Sequence, residues 1–218
     1  MMNLKEICKR YRQVYTPAVS DVLDKKGCWN QTMEHSIHPL KTGMKVAGPA
    51  FTMLGMGSRE VDKTKRLVAP EALDHIKKYV VVVMATSGDE KTGHWGELMT
   101  NAALFHGCAG AVVDGGIRDT WNLFKLDFPI FYKFKSPCDA LGRFNIVEYQ
   151  TDIVIGGVKV RPGDFIVGDD DGIVVVPKYL ILEALEEAEE IIKIENEIRK
   201  RVTKGESVAE LYVQYDQF

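Results

Sequence analysis

Arg118 and Asp119 are neighbouring side chains well suited to chemistry in this 218-residue sequence. Arginine presents a planar fork of N–H donors that matches a carboxylate. Aspartate is a hard oxygen ligand suited to Mg²⁺ or Mn²⁺, and Mg²⁺ usually keeps several waters and binds only one or two protein carboxylates. The pair therefore indicates a site for a carboxylate ligand beside a divalent cation.

A predicted helix N-terminus supplies further anion-binding atoms. The sequence pattern predicts that this helix begins at Glu97. The peptide N–H groups near Gly96, Glu97, Leu98 and Met99 then lack acceptors within the helix and point toward an incoming anion. We expect these amides and Arg118 to hold one carboxylate from two sides, with Glu97 close enough to orient a water on the cation.

Parallel strands are the elements that would bring these residues together. Val80 to Met84 is a short, charge-free, β-branched run, as expected for a strand covered on both faces. The helix from Glu97 to His106 and a second strand from Gly110 to Asp114 complete a predicted βαβ unit with a right-handed crossover. Gly93 to Gly96, interpreted as the loop after the first strand, and Arg118 then lie at one sheet edge, where open α/β folds bind ligands.

Each of these features also has an ordinary structural interpretation. Neighbouring Arg and Asp residues are common on protein surfaces, where most are solvated. Gly115-Gly116 is compatible with a plain turn, and every helix N-terminus carries free N–H groups. The predicted meeting of all three at one sheet edge is what favours a site.

The remaining patterns complete the predicted fold. Thr16 as N-cap and Pro17 as the first helical residue favour a helix that Gly27 ends, and Pro49 makes Val46 to Leu54 an edge or bulged strand. Gly156-Gly157 between two β-branched runs predicts a hairpin. The other predicted helices are Leu4 to Val14, Glu71 to Lys78, and a long one from Lys178 to about Thr203, and the other predicted strands are 130–134, 153–154, 158–160, 164–167 and 173–176.

Together these elements predict one α/β domain over residues 1–218. It would contain a βαβ-containing central sheet, an antiparallel β layer and a long C-terminal helix. That helix is expected to pack either on the domain's own sheet or across a subunit boundary, because its apolar positions form a narrow stripe among charges.

Composition excludes some classes of protein. Hydrophobic residues make up 45% and charged residues 27%, and the formal net charge is −3, so there is no basic excess of the kind that a dedicated nucleic-acid binder uses. Cys8, Cys28, Cys108 and Cys138 form no CxxC pair. The N-terminus does not have the pattern of a signal peptide, and the longest apolar run, Val80 to Ala85, is too short for a membrane span. We expect a cytoplasmic protein that binds neither nucleic acid nor membrane.

The central motif resembles a known family. The run from Gly107 to Asp119 (GCAGAVVDGGIRD), preceded by Gly96-Glu97-Leu98 and with 20 residues between Glu97 and Arg118, is similar to 4-hydroxy-4-methyl-2-oxoglutarate aldolases and proteins like regulator of ribonuclease activity A. Weaker matches are the segments TPAVSDVLD (16–24), VAGPAFT (46–52), ATSG (85–88) and VGDDDGIVVVP (167–177). The likeness extends over most of the chain.

This resemblance implies a swivelling β/β/α domain that assembles into homotrimers or hexamers, with sites between subunits. It implies that Arg118 holds the carboxylate of a pyruvate-like 2-oxo acid, helped by the backbone N–H groups of Gly96 to Met99, and that Asp119 holds Mg²⁺ or Mn²⁺. The family usually has Asp where this chain has Glu97, and often an acidic residue where it has Asn122. Acidic groups from a neighbouring subunit's C-terminal helix are also implied, and Glu195 and Glu197 are candidates.

The predicted activity is that of a class II, metal-dependent aldolase. It would cleave a 4-hydroxy- or 4-carboxy-2-oxo acid to pyruvate, with Arg118 fixing the carboxylate and Glu97 acting through a water on the 4-hydroxyl proton. Loss of CO₂ from oxaloacetate is a natural companion reaction. One alternative is a non-catalytic relative that binds a ribonuclease. A methyltransferase is a weaker alternative, suggested only by Gly55-Met56-Gly57 after a strand.

Other residues have less specific patterns. His94 has either a ligand role or, more in keeping with a loop histidine, solvent or backbone partners. Trp95 is expected either to line the pocket or to pack in the core. Asp169-Asp170-Asp171 before Gly172 favours a turn between strands over a metal site. Nothing around Lys91 indicates the buried setting that activates a lysine for Schiff-base formation.

Overall fold

Residues 3–215 of the computed structural model form helices and strands that alternate along much of the chain. The α-helices are α1 (Leu4–Tyr11), α2 (Thr16–Lys25), α3 (Val68–Asp74), α4 (Glu97–Phe105), α5 (Thr120–Leu123), α6 (Ile181–Val202) and α7 (Val208–Tyr215). The strands are β1 (His38–Pro39), β2 (Val46–Gly57), β3 (Val81–Ala85), β4 (Gly93–Trp95), β5 (Gly110–Ile117), β6 (Ile130–Lys135), β7 (Phe144–Tyr149), β8 (Ile153–Ile155), β9 (Val158–Val160), β10 (Phe165–Asp169) and β11 (Gly172–Val176). The predicted domain bounds, 1 and 218, lie outside the described residues and stay a prediction.

A mixed sheet forms the centre of the protein. Its strand order is β1-β6-β5-β3-β2-β10-β11, with β4 added on β5 and β7 on β2. Strands β2, β3, β5 and β6 pair in parallel, whereas β1, β7, β10 and β11 join antiparallel. A separate hairpin, β8–β9, turns at Gly156-Gly157 as predicted. The predicted fold class is confirmed: a mixed α/β domain with a second β layer and a long C-terminal helix.

The βαβ unit is confirmed with one correction. Strands β3 and β5 pair in parallel, with Val81 opposite Gly110, and α4 makes the connection between them. The segment predicted as a loop, however, contains strand β4, which pairs in parallel with the last residues of β5. The β5 strand extends to Ile117, beyond the predicted end at Asp114, and therefore carries Arg118 right to the rim of the sheet.

Of the two alternatives predicted for β2, an edge strand or a bulged strand, the edge position is wrong. This strand lies between β3 and β10, and its irregularity falls between Leu54 and Gly55. Pro49 is tolerated because the neighbouring Ala50 N–H donates to Asp164 on the β10 side. Successive residues of a strand direct their N–H groups to opposite neighbours. Pro49, which has no N–H, therefore faces the β3 side, and β3 begins only at Val81, opposite Ala50.

Three apolar clusters hold the layers together. One face of the sheet packs under α3 and α4 through residues such as Phe51, Val82 and Ala103. The other face packs under the β8–β9 hairpin. Helices α1, α2 and α6 cover β10 and β11. The sheet is therefore covered on both sides, which explains why β2 and β3 carry no charged residue.

Several helix bounds differ from prediction for local reasons. Helix α3 begins before Pro70, because proline is tolerated in a first turn. It ends before Tyr79, whose positive φ of 70° turns the chain into β3. Residues 178–180 form a 3₁₀ turn ahead of α6. Helix α1 stops at Tyr11, short of the predicted Val14.

Helices α2 and α6 pack within this chain. Thr16 is the first residue of α2 rather than its N-cap, and its N–H and Oγ1 both donate to the Asp169 carboxylate, at 2.9 and 2.7 Å. Asp169 stands at the turn between β10 and β11, as predicted. The buried side chains of α6 that belong to the cluster with α2 and β10 are Ala184, Leu185, Ala188 and Ile191. No helix within residues 3–215 is long and apolar enough to cross a membrane.

Candidate active site

The carboxyl ends of β4 and β5 bring the two predicted loops together. The Arg118 N–H donates to the Trp95 carbonyl oxygen at 2.9 Å, which continues the parallel pairing past the end of β5. A Cβ atom at Gly96 would lie 2.5 Å from Asp119 Oδ2 and 3.2 Å from Arg118 Cγ. A side chain at 96 would therefore have to displace the Asp119 carboxylate from this position. The predicted meeting of the Gly96 and Arg118 segments is confirmed.

Asp119 reaches the N-terminus of α4 from a left-handed backbone conformation. Its φ is 57° and its ψ 30°, a region that Asp tolerates better than most residues and that often occurs at functional sites. Its Oδ2 accepts the Glu97 N–H at 3.2 Å. One of the four amides predicted for ligand binding is thus already used, while those of Leu98 and Met99 stand in the next positions of the same turn.

The Arg118 guanidinium lies between two carboxylates. Its Nη1 donates to Asp139 Oδ1 at 2.8 Å, and its Nε lies 3.7 Å from Asp119 Oδ2. Burial works against ionisation of Asp139, yet the charge of Arg118 holds the pKa of this carboxyl below its usual value. Asp139 was missed from the sequence. A signal existed, since it follows β6, which is parallel to β5 and ends at the same rim.

Two hollows flank Arg118 and Asp119. One, of about 190 Å³, is lined by Gly96, Leu98, Met99 and Asp139 together with the Arg118-Asp119 pair. The other, of about 360 Å³, lies between that pair and the segment 135–137. Both are small and open to solvent, so each suits a ligand of a few atoms or one end of a longer ligand.

Glu97 and Asn122 contact each other beside this site. Asn122 Nδ2 donates to Glu97 Oε2 at 2.7 Å, and Lys125 Nζ donates to Asn122 Oδ1 at 3.3 Å. The oxygen of the Asn122 amide thus faces the Lys125 ammonium group, and its nitrogen faces the Glu97 carboxylate. These are the two positions at which the sequence departs from the aldolase pattern.

The structure decides the roles of two neighbouring residues. His94 is buried in β4, where its Nδ1 accepts the Gly116 N–H at 2.9 Å. The imidazole therefore has a backbone partner, as expected, but it lies on a strand rather than in a loop. Trp95 is fully buried and donates its Nε1–H to Thr100 Oγ1 at 2.8 Å, so it packs in the core.

The other sequence candidates lie elsewhere. Gly55-Met56-Gly57 belongs to β2 and pairs with β7, so it is not a turn that opens a helix. The Glu195 carboxylate contacts the Tyr15 hydroxyl of its own chain. Glu197 is exposed on α6. Whether either reaches a neighbouring subunit's site stays a prediction.

Asp119 is the side chain best placed to hold a cation here. Within residues 3–215, no group of three or more His, Cys, Asp or Glu side chains is arranged as a metal site. Asp119 is 41% exposed, and the backbone of Glu97 and the Arg118 guanidinium are its recorded contacts. A single accessible carboxylate fits Mg²⁺ or Mn²⁺, which keep several waters, and does not fit a fully protein-ligated ion.

Comparison with known proteins identifies the family of this chain. The RraA-like family, described as aldolase/RraA, matches residues 16–175. The chain belongs to the RraA-like family. A protein of Halalkalibacterium halodurans named "Putative 4-hydroxy-4-methyl-2-oxoglutarate aldolase" is 33% identical over 200 residues, covering 92% of this chain and 90% of the relative.

Several solved structures and two longer relatives are also similar to this chain. Streptomyces coelicolor RraAS2, described as an unusual member of the RNase ES inhibitor RraA family, superposes with a TM-score of 0.83 at 29% identity and covers 90% of this chain and 98% of its own. A structure described among cellulases from gut-associated microbes gives 0.86 at 38% identity, covering 90% and 88%. The chain spans only 32% of Legionella pneumophila DlpA, to which it is 30% identical over 197 residues covering 90% of this chain. It spans 64% of a relative from Methanocaldococcus jannaschii.

We predict that His94 makes stability depend on pH. Burial lowers the pKa of its imidazole, so the unfolded chain takes up this proton at a higher pH than the folded chain. Stability is then full above the ordinary histidine pKa of about 6.5 and falls as the pH drops below it, by at most about 1.4 kcal/mol per pH unit. Urea unfolding of wild type and His94→Gln at pH 7.5 and 5.5 measures the effect.

The variant His94→Gln should lose this pH dependence, since glutamine also accepts the Gly116 N–H but does not titrate. Replacement of the exposed His35 by Gln is the matched control and should leave the dependence intact. An equal loss of stability on acidification in wild type and His94→Gln would show that another group is responsible.

Proposed function

We propose that this chain is a divalent-metal-dependent aldolase that cleaves a 4-hydroxy- or 4-carboxy-2-oxo acid to release pyruvate, and that it also decarboxylates oxaloacetate. The observation that carries the proposal is the meeting of the Arg118 guanidinium, the N-terminus of α4 and the Asp119 carboxylate at one rim of the sheet. These are complementary to a carboxylate and an adjacent cation, the two charges that such a substrate complex contains.

Arg118 holds the substrate carboxylate in this proposal. The ligand takes the place of Asp139 Oδ1 on Arg118 Nη1, and the amides of Leu98 and Met99 approach it from the other side. A charge-assisted hydrogen bond of this kind contributes roughly 1.5–3 kcal/mol. Fixing the carboxylate fixes the 2-oxo group beside it, which is the main requirement for a bond cleavage at C3–C4.

Glu97 accepts the 4-hydroxyl proton through a bound water in this proposal. Asn122 occupies its Oε2, which orients the carboxylate and leaves Oε1 to hold a water. That water takes the proton of the 4-hydroxyl group and passes one of its own to Glu97, while C4 leaves as a carbonyl compound and the electrons of the C3–C4 bond pass toward the 2-oxo group. The resulting enolate then takes a proton at C3 to become pyruvate. Asp119 would hold Mg²⁺ or Mn²⁺, which supplies Lewis-acid polarisation of the 2-oxo oxygen when bound.

A homo-oligomer, trimer or hexamer, is part of the proposal. Large apolar side chains stand exposed on α4 and α5: Leu98 at 80% beside the site, Trp121 at 77% on α5, and Phe105 at 86% at the far end of α4. An exposed apolar patch of this kind often marks a protein interface. We propose that a neighbouring subunit covers it and adds acidic groups to the site. A cytoplasmic location also remains a proposal.

We predict that excess chelator abolishes pyruvate release and that Arg118→Lys raises KM at least about tenfold. Lysine keeps the charge but loses the fork that binds both carboxylate oxygens. The measurement is coupled pyruvate detection with 4-hydroxy-4-methyl-2-oxoglutarate and oxaloacetate, with Mg²⁺ or Mn²⁺.

Arg161→Lys is the matched control, because Arg161 is exposed and pairs with Asp152 near the β8–β9 hairpin. It should leave KM unchanged. Full turnover in excess chelator would refute the metal requirement, and an unchanged KM in Arg118→Lys would refute the carboxylate site.

A ribonuclease-binding regulator is the second candidate function. The likeness to RraAS2, a member of a family described as RNase ES inhibitors, is the observation that favours it. If that role applies, a ribonuclease is retained by the immobilised chain and its cleavage of RNA slows, while no 2-oxo acid tested with the chain yields pyruvate. If the ribonuclease is still retained by the Trp121→Ala variant, its binding surface does not include Trp121 on α5.

We predict that Asp139→Asn tightens binding of pyruvate by about two- to fivefold. The variant removes a carboxylate that competes for Arg118, and exposed ion pairs contribute about 0.2–1 kcal/mol. Calorimetric titration with pyruvate in the presence of Mg²⁺ measures the change. The control Asp152→Asn also removes an exposed ion-paired carboxylate and should have no effect. Weaker binding in Asp139→Asn would mean that Asp139 assists the ligand instead of competing with it.

A further inference from the structure

A second cleft, of about 510 Å³, lies beside the candidate active site. Its lining includes three cationic side chains, Arg59, Lys91 and Arg143, which define what we call the basic cleft. Arg59 follows the end of β2, Lys91 precedes β4, and Arg143 precedes β7. None of the three had a role assigned in the candidate active site.

The basic cleft has an excess of positive charge. Asp89 is the acidic residue in its lining. This carboxylate is already engaged, since it accepts the Lys91 and Thr92 N–H groups at 2.9 and 2.8 Å and lies 3.5 Å from His94 Nε2. Those backbone hydrogen bonds lower the pKa of Asp89, although burial opposes them.

Across residues 3–215, no ion pair to a carboxylate is recorded for Arg59, Lys91 or Arg143. The Arg143 guanidinium donates to a main-chain oxygen, that of Asp139, at 3.2 Å. Three cations around one cleft with a net positive charge of two attract an anion, and the walls of a cleft strengthen that field.

Asp139 joins the basic cleft to the candidate active site. Its side chain accepts from Arg118 and its main-chain oxygen accepts from Arg143, so a single residue separates the two guanidinium groups. On the other side, the segment from Asp89 to His94 forms a shared wall, with Asp89 in the basic cleft and His94 in the hollow at Arg118. The basic cleft and the hollow at Arg118 are therefore neighbours at the same rim, on either side of this wall.

We propose that the basic cleft binds the second carboxylate of a 2-oxo dicarboxylate whose first carboxylate lies on Arg118. This assignment rests on the proposed function and adds to it the residues that select the substrate. Arg59, Lys91 and Arg143 are specificity-determining residues that distinguish dicarboxylates from 2-oxo acids with an apolar end. An arginine fork suits a carboxylate, and the flexible lysine adjusts to its position.

The test compares two ligands that differ only in the second carboxylate. These are 2-oxoglutarate and 2-oxopentanoate, which has the same carbon chain with a methyl end. Calorimetric titration of the full chain with Mg²⁺ should show 2-oxoglutarate binding at least about tenfold more tightly, as expected for a new charge-assisted contact.

Variants then locate the source of that preference. Arg143→Gln and Lys91→Gln should each reduce the preference for 2-oxoglutarate severalfold and leave the affinity for 2-oxopentanoate unchanged. Lys91→Arg should retain the preference, because it keeps the charge. Lys159→Gln removes an exposed lysine of β9 and serves as the matched control with an unaltered preference.

The outcomes separate this inference from the proposed function. Equal binding of the two ligands, or a preference that survives in both Gln variants, overturns the basic cleft as the second carboxylate site while the Arg118 site stands. Two molecules of 2-oxoglutarate bound per chain would show a separate anion site and also overturn it. If neither ligand binds, the Arg118 site itself fails and this inference fails with it.

Discussion

The parallel pairing of β4 with the end of β5 is the constraint on which the candidate site depends. It places the Trp95 carbonyl oxygen 2.9 Å from the Arg118 N–H and so fixes the start of α4 against the residues that follow β5. Glycine at 96 allows these two segments to approach this closely, because a Cβ atom there would lie 2.5 Å from Asp119 Oδ2. A helix N-terminus and a guanidinium then share one small space. Neither group would be distinctive without the other.

Buried packing supports this rim from below. The Trp95 ring is fully buried and stacks on Phe128, with ring centroids 6.5 Å apart. His94 faces the other way and receives the Gly116 N–H. Consecutive residues of β4 are thus anchored on opposite faces, as the alternation of a strand requires. The segment predicted as a loop is therefore part of the sheet, and a site built on a strand holds its donors in place better than one built on a loop.

How far the sequence predicts this structure depends on the range of the interactions involved. The βαβ unit was predictable because its signals are local: a β-branched run, a helix start at Glu97 and a second apolar strand. The position of β2 was not, because it depends on which strands flank Pro49 in space. The same holds for β4, three residues long, which is a strand only because β5 extends far enough to pair with it.

Some features of the candidate site were likewise predictable from the sequence and others were not. The meeting of Gly96 with Arg118-Asp119 followed from topology and is confirmed. Asp139 and the basic cleft were missed, because Asp139 comes from the segment after β6 and the three cations come from three separate connections. Such residues are visible in a sequence only once the strand order is known, since parallel strands bring the residues after their carboxyl ends to a common edge.

The contact between Glu97 and Asn122 gives a physical account of how this chain departs from the aldolase pattern. A second carboxylate at 122 would stand next to that of Glu97 and repel it, whereas the neutral amide donates to Glu97 Oε2 at 2.7 Å. The extra methylene of Glu97 relative to Asp lengthens its reach, and Asn122 gives the longer side chain a fixed partner. In this chain the two side chains therefore form a matched donor–acceptor pair. The negative charge that this pair of positions retains lies on Glu97, in the first turn of α4, where it interacts favourably with the helix dipole.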